Sequence, residues 1–108
     1  MSVEVIQDNT DEVATALEQA FDRALEKIGL TAERYAANLS PVDTGRLRNS
    51  ITSTVDSGEK AAYIGTNVEY APYVEMGTSR MREQPFLRPA AQDHGAEYRA
   101  ILEAELRG

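Results

Sequence analysis

The sequence predicts an α+β fold in which a long N-terminal helix and a C-terminal helix pack on a small antiparallel β-sheet. A short helix and an exposed loop are expected between the sheet and the last helix. Three patterns predict this. Apolar residues at Val13, Leu17, Phe21, Leu25, Ile28, Ala32, Tyr35 and Leu39 advance in steps of four and three, the period of one helix face. Ile51-Thr-Ser-Thr-Val55 alternates and is β-branched, and beyond the turn residues Asp56–Lys60 the segment Ala61–Thr66 returns, as in a hairpin with a loop of about five residues. Between Pro89 and Leu106, a third set (Ala91, His94, Tyr98, Ile101, Leu102 and Leu106) falls on the inner face of a single last helix.

Taken in order, Val3 and Val5 alternate with polar neighbours, which predicts a short edge strand or arm over residues 1–9. Asn9 with Glu12 three residues on has N-cap spacing, and the acidic first turn suits the helix dipole. Gly29 costs up to about 1 kcal/mol relative to alanine inside a helix. The apolar stripe nevertheless stays in phase across it, so one continuous helix is expected, ending at Ser40-Pro41. Thirty residues of helix would be roughly 45 Å long, whereas a compact domain of this size has a radius of gyration of about 13 Å. The helix therefore reaches beyond the globule or lines its whole flank. Either the C-terminal helix and sheet cover it, or it packs against something else.

Pro41–Gly45 reads as a loop, with Thr44-Gly45 able to turn tightly and point Arg46 and Arg48 along the start of the first strand, beside Leu47. In the returning strand Tyr63 and Gly65 share one face and Ile64 takes the other. Tyr70–Met76 reads as a short helix with Pro72 in its first turn and Tyr70 and Tyr73 on one face. Gly77, before Thr78, is placed to end that helix in the left-handed conformation. Gly77–Gln84 is polar and carries Arg80, Met81 and Arg82, so it is expected as an exposed loop or mobile arm. Pro85-Phe86-Leu87 pins the far end of that loop into the core before Pro89 opens the last helix.

The chain has 108 residues, 42% hydrophobic and 27% charged, with 7 Gly and 4 Pro, which predicts a single domain over residues 1–108 and excludes fibrous or fully disordered classes. It has no cysteine, so neither disulfides nor thiolate metal sites can hold the fold. No apolar stretch is long enough to span a bilayer and the first residues lack a signal-peptide pattern, so a soluble chain made in the cytoplasm, with no membrane partner, is expected. Net charge is −7 and unevenly spread: up to Glu33 there are eight acids and only Arg23 and Lys27. From Arg34 to Gln92 seven bases face six acids, and from Asp93 onward four acids face two bases. A protein gripping duplex DNA through many phosphates would be net basic, so specific nucleic-acid binding is not expected. A dipolar surface that docks on a partner suits this distribution better.

Catalytic parts are missing. One histidine, no cysteine and no G-x-S-x-G leave nucleophile–base constellations incomplete, and no phosphate-cradling glycine loop is present. Asp93, His94 and Glu97 lie within one turn and could touch one metal, but His94 falls on the apolar stripe and no second histidine completes a common site. No catalytic residue, metal or cofactor is therefore predicted. On the long helix Glu18, Asp22 and Glu26 stack at i, i+4 beside a column of Arg23 and Lys27. Each like-charged pair costs about 0.2–0.5 kcal/mol in an isolated helix. The acidic row is either a solvated face or a docking surface for basic residues of a neighbouring copy or partner.

Two segments are unusually dense in turn-forming and anchoring residues: Ser40-Pro-Val-Asp-Thr-Gly-Arg-Leu-Arg-Asn-Ser-Ile51, and Tyr70-Ala-Pro-Tyr-Val-Glu-Met-Gly-Thr78 followed by Gln84-Pro-Phe-Leu-Arg-Pro-Ala-Ala91. Together they resemble the small tail-completion, or head–tail joining, proteins of lambda-like long-tailed phages and prophages. The matching pattern is a long helix, "P-x-x-T-G-x-L-R-x-S-I", a hairpin, "Y-A-x-Y-V-E-x-G-T" and "Q-P-F-L-x-P-A" before a final helix. It spans about Val13 to Leu106.

The resemblance implies a non-enzymatic virion subunit that forms a ring, a hexamer, at the head-proximal end of the tail. It also implies contacts with the tail terminator or tail tube and with the head connector, in the virion after assembly in the host cytoplasm. Interface residues are then expected among Glu18, Asp22, Glu26, Arg46, Arg48, Tyr73, Glu75, Arg80, Met81 and Arg82. Fold-defining positions are Pro41, Thr44, Gly45, Leu47, Tyr70, Gly77, Thr78, Pro85, Phe86, Leu87 and Pro89. The alternative from another class is a small nucleic-acid-associated or regulatory module of a mobile element, using Arg46, Arg48, Arg80 and Arg82.

Overall fold

The computed structural model describes residues 3–41, 45–80 and 82–107, with side chains from residue 12 onward. Its elements are α1 (Val3–Leu39), α2 (Arg46–Ser50), β1 (Thr52–Asp56), β2 (Ala61–Gly65), α3 (Ala71–Met76), α4 (Leu87–Gln92) and α5 (Gly95–Arg107). This is the expected α+β architecture. The strand or arm expected over residues 1–9 is instead helical from Val3, so α1 runs 37 residues, about 55 Å at 1.5 Å per residue, and Asn9 is not its cap. The molecule measures 71 × 23 × 21 Å with a radius of gyration of 18.6 Å, so α1 does extend past the packed part of the chain.

The face of α1 that packs is not centred on its largest apolar residues. Ala20, Ala24, Leu25, Gly29, Ala32 and Ala36 are buried, whereas Val13, Leu17, Leu30 and Leu39 are exposed. The cause is close approach. A Cβ added at Gly29 would stand 3.1 Å from the Ser53 Cβ, so the mid-helix glycine lets β1 lie directly against α1. Ser53 in turn donates to the Glu33 carboxylate at 2.9 Å, fixing the strand along the helix.

β1 and β2 form a two-stranded antiparallel sheet in the register Thr52↔Gly65 through Asp56↔Ala61. Asp56 Oδ1 accepts the Glu59 N–H at 3.0 Å, a side-chain turn that starts the loop. Lys60 closes it in the left-handed region at φ 56°, a non-glycine conformation costing about 1–2 kcal/mol. Its ammonium lies 3.8 Å from Asp22 and 5.7 Å from the centre of the Phe21 ring, so the hairpin tip is anchored on α1. Tyr63 and Ile64 take opposite faces as expected, and it is Tyr63 that faces outward while Ile64 packs toward the core.

Gly45, at φ 72°, ψ −10°, is the left-handed residue that the turn before α2 requires. Arg46 and Arg48 therefore sit on a helical turn and do not lie along a strand, while Leu47 points inward and is buried. Thr44 lies outside the described residues. Gly77 has positive φ (77°) but ψ 176°, an extended glycine-only conformation in place of the left-handed helical stop expected there.

The single last helix expected from Pro89 to Leu106 is two helices meeting at Asp93-His94. At the break the His94 ring stacks on Tyr35 with centroids 3.6 Å apart, and Tyr98 donates its hydroxyl to the Ala90 carbonyl. The Tyr35 hydroxyl donates to Glu97, and that bond is the chief cause holding the phenol above its ordinary pKa. The bend keeps α4 on the core and redirects α5 along α1. Ala91 and Leu106, expected inside, are exposed.

The core gathers Ala36, Leu47, Ile51, Val68, Ala71, Val74, Phe86 and Ala90, with Phe86 the largest fully buried side chain. Phe86→Ala is expected to cost about 3–5 kcal/mol in a urea titration. At the other end, Glu105 of α5 accepts from both Lys27 and Arg23 of α1. The Lys27 hydrogen bond, outweighing desolvation, holds the Glu105 carboxyl below the ordinary carboxylate range. A lowered folded pKa stabilises at neutral pH, and the contribution is lost as pH falls through that range. Glu105→Gln should therefore lower stability at pH 7 and leave it unchanged at acid pH, read from melting curves across the titration.

Candidate interaction surfaces

The joint between α3 and α4 is organised by one carboxylate. Glu75 Oε1 accepts the backbone N–H groups of Phe86 at 3.1 Å and Leu87 at 2.8 Å, and Oε2 accepts that of Arg88 at 3.3 Å. Its side chain is only 12% exposed, with the Arg88 guanidinium 4.0 Å away. Glu75 thus satisfies N–H groups at the start of α4 that have no partner within the helix. Glu75, an interface candidate from the sequence, is within its own chain a clamp between α3 and α4. The Gln84 N–H adds a bond of 2.8 Å to the Val74 carbonyl, and Gly77 N–H one of 2.8 Å to Tyr73. Both ends of the 77–84 segment are therefore fastened to α3.

Between those ends residues 78–80, 82 and 83 are exposed. Arg80 and Arg82 both face solvent, and the Arg80 N–H bonds the Thr78 hydroxyl at 3.2 Å. Met81 lies outside the described residues. On α3, Tyr73 and Met76 are 58% and 73% exposed, a large apolar display for so short a helix.

The other candidates divide. Arg46 makes a two-pronged contact with Glu69 at 3.1 and 2.9 Å and lies 5.5 Å over the Tyr70 ring, so its own chain holds it. That hydrogen bond is the main cause lowering the Glu69 pKa. The Arg48 Nε is buried with no hydrogen-bond partner among the described residues. Glu18 and Glu26 are exposed, while Asp22 is half-buried beside Lys60. The acidic row of α1 is thereby split, its middle member serving the hairpin.

Pro85, Leu87 and Pro89 are half-buried around Phe86, and Pro41 is half-buried after α1. Asp93, His94 and Glu97 do not converge: the ring of His94 is stacked and Glu97 is bonded to Tyr35. Among the described residues no helix is long and apolar enough to cross a membrane, and no group of three His, Cys, Asp or Glu could hold a metal ion.

Sequence reasoning missed a shallow cleft of about 340 Å³ between α1, β2, α4 and α5. Its walls are mostly apolar, from Ile28, Ala62, Ile64 and Leu87, and Arg88 is the one charged residue among them. The signal was present but indirect, since Ile28 and Gly29 mark where α1 is approached most closely.

Replacing Glu75 with Ala should cost about 1.5–3 kcal/mol, the range for hydrogen bonds to a charged group, since it strands the N–H groups of Phe86 and Leu87. Glu75→Gln, which keeps an acceptor, should cost less in the same urea titration.

No curated protein and no solved structure matches the chain. A family model does, the one described as "Bacteriophage HK97-gp10, putative tail-component", over residues 4–77. That span runs through α1, α2, the hairpin and α3. The chain therefore belongs to the HK97-gp10-like family of phage tail components.

Proposed function

We propose that this tail component is the subunit of a ring, six-fold like a tail tube, at the head-proximal end of the tail, where it joins tail to head. Membership of a tail-component family implies contacts with other virion proteins and a place in the virion. The observation that carries the finer reading is the shape of the subunit. Its longest helix leaves every residue from Glu12 to Gln19 exposed, while the loop between α3 and α4 offers exposed arginines at positions 80 and 82. A protein built to repeat head-to-tail needs two such unlike surfaces and no catalytic pocket. Its partners in this role are neighbouring copies, the tail terminator or tail tube on one side and the head connector on the other. A net charge of −7 lets DNA pass without being gripped.

The 77–84 segment is the proposed contact arm, fastened at both ends and exposed at residues 78–80, 82 and 83 between them. Arg80→Ser with Arg82→Ser should leave the melting temperature nearly unchanged, because exposed substitutions rarely exceed about 0.5 kcal/mol. The same double variant should lower the yield of joined head–tail particles in a complementation assay. Normal particle yield would overturn the assignment of this arm. Tight, salt-dependent DNA binding by the purified protein would instead favour the nucleic-acid module.

A further inference from the structure

We infer that the protruding N-terminal part of α1 docks into the α1–β2–α4–α5 cleft of a second copy of this chain, with Val13 and Leu17 as its apolar anchors. The inference rests on the reading above that the chain assembles with copies of itself, and it names the two surfaces that meet.

Val13 and Leu17 are one helical turn apart and 57% and 48% exposed, although both belong to an apolar row at helical spacing. The ion pairs that join α5 to α1 lie at Arg23 and Lys27, and the hairpin tip meets α1 at Phe21 and Asp22, all on the C-terminal side of this pair. The cleft is the complementary feature, with apolar walls, one cation and no acid among its lining residues. Arg88 remains 57% exposed there even though its carboxylate neighbour, Glu75, is already engaged by backbone N–H groups.

Charge decides between possible occupants. Residues 1–19 hold five of the chain's 18 acids and none of its 11 bases. Pairing two such arms with each other would bring like charges together, which is unfavourable. Laying one arm across a cleft whose only charge is Arg88 sets Glu12 and Glu18, the acids flanking the apolar pair, against a cation. The recognition mode is an amphipathic helix in a groove, with i, i+4 anchors.

Geometry makes the contact intermolecular. Ile28, at the cleft, and Leu17 lie on the same continuous helix, about 16 Å apart along its axis at 1.5 Å per residue. A straight helix does not fold its own start back onto its middle, so only another copy can supply the arm. Each subunit then gives one arm and receives one. This is a heterologous contact, which closes into a ring when the rotation between neighbours divides the circle.

The chain has no cysteine, so introduced ones are unique reporters. Leu17→Cys and Ala91→Cys, both at exposed positions and the second on the cleft wall, would be purified separately, mixed and oxidised. The expected result is a disulfide between the two different variants, several-fold above that of an Asn38→Cys control, in a complex whose mass by light scattering exceeds the monomer. Adding Arg88→Gln to the Ala91→Cys chain should lower that yield several-fold. Predominant Leu17→Cys homodimers would overturn the inference in favour of arm–arm pairing and leave self-assembly standing. An oligomer in which neither disulfide exceeds the control would do the same in favour of another interface. A chain that stays monomeric at every concentration, with no disulfide formed, would overturn both the inference and the self-assembly reading.

Discussion

The close approach of the hairpin to α1 is the constraint on which the rest of the structure depends. The two-stranded sheet and the 13-residue α5 cover only part of the 37-residue α1, so how much they bury depends on how near its axis they lie. Glycine at 29 provides that proximity, with the Ser53 Cβ 3.1 Å from where a Cβ of Gly29 would stand, and the buried alanines at 20, 24, 32 and 36 keep the packed side of α1 small. Glycine weakens the helix locally by about 1 kcal/mol relative to alanine. The offset comes from neighbours that Gly29 admits: the Glu33–Ser53 bond, the Lys60 contacts and the strand pairing itself. Larger side chains along this seam would push the sheet off the helix and leave the hairpin without a support, since two strands alone are marginal in water.

Glu75 carries the same logic into the second half of the chain. Once β2 is placed, α3 and α4 must be brought together around Phe86, and both are too short to be stable as isolated helices. A single carboxylate engaging three successive N–H groups fixes their relation and leaves the 77–84 segment as a loop with anchored ends. Rigidity at the joint and exposure between its ends are thus two consequences of one interaction.

Much of the fold was legible in the sequence because it is written in periodicity and turn chemistry. The long helix, the hairpin, the short helix with Pro72 in its first turn and the anchoring of Phe86 all follow from local pattern. What was not legible depends on tertiary distance. The apolar stripe is buried or half-buried from Phe21 to Tyr35 but exposed at Val13, Leu17 and Leu39, and alanines 20, 24 and 36 outside it are buried instead, because closeness of approach outweighed side-chain size. The last helix looked continuous from its apolar spacing, while the stacking of His94 on Tyr35 and the Tyr98–Ala90 bond bend it. Val3 and Val5 alternate like a strand, but with no neighbouring edge to pair with, the segment continues the helix. Among the candidate interface residues, Arg46 and Glu75 are each engaged within their own chain. Their partners, Glu69 and the α4 N–H groups, lie 23 and 11–13 residues along the chain, beyond the reach of any local pattern.

The small-residue seam also bears on how stability and assembly are linked. Burying an alanine methyl removes far less apolar surface from water than burying a leucine, at about 0.8 kcal/mol per CH₂. Among the described residues Phe86 is the only large side chain buried completely, whereas Val13, Leu17, Leu30, Leu39, Tyr63, Tyr73 and Met76 remain exposed. The apolar content of this chain is therefore divided between a lean interior and a generous surface. In the ring proposed here that surface is a reserve of stabilisation realised only on contact with neighbours, and by mass action such contacts stabilise the folded subunit as well as the assembly. A tail component stabilised in this way gains most of its rigidity where it functions, inside the particle, while its own fold needs only to hold α1, the hairpin and the Glu75 joint in place.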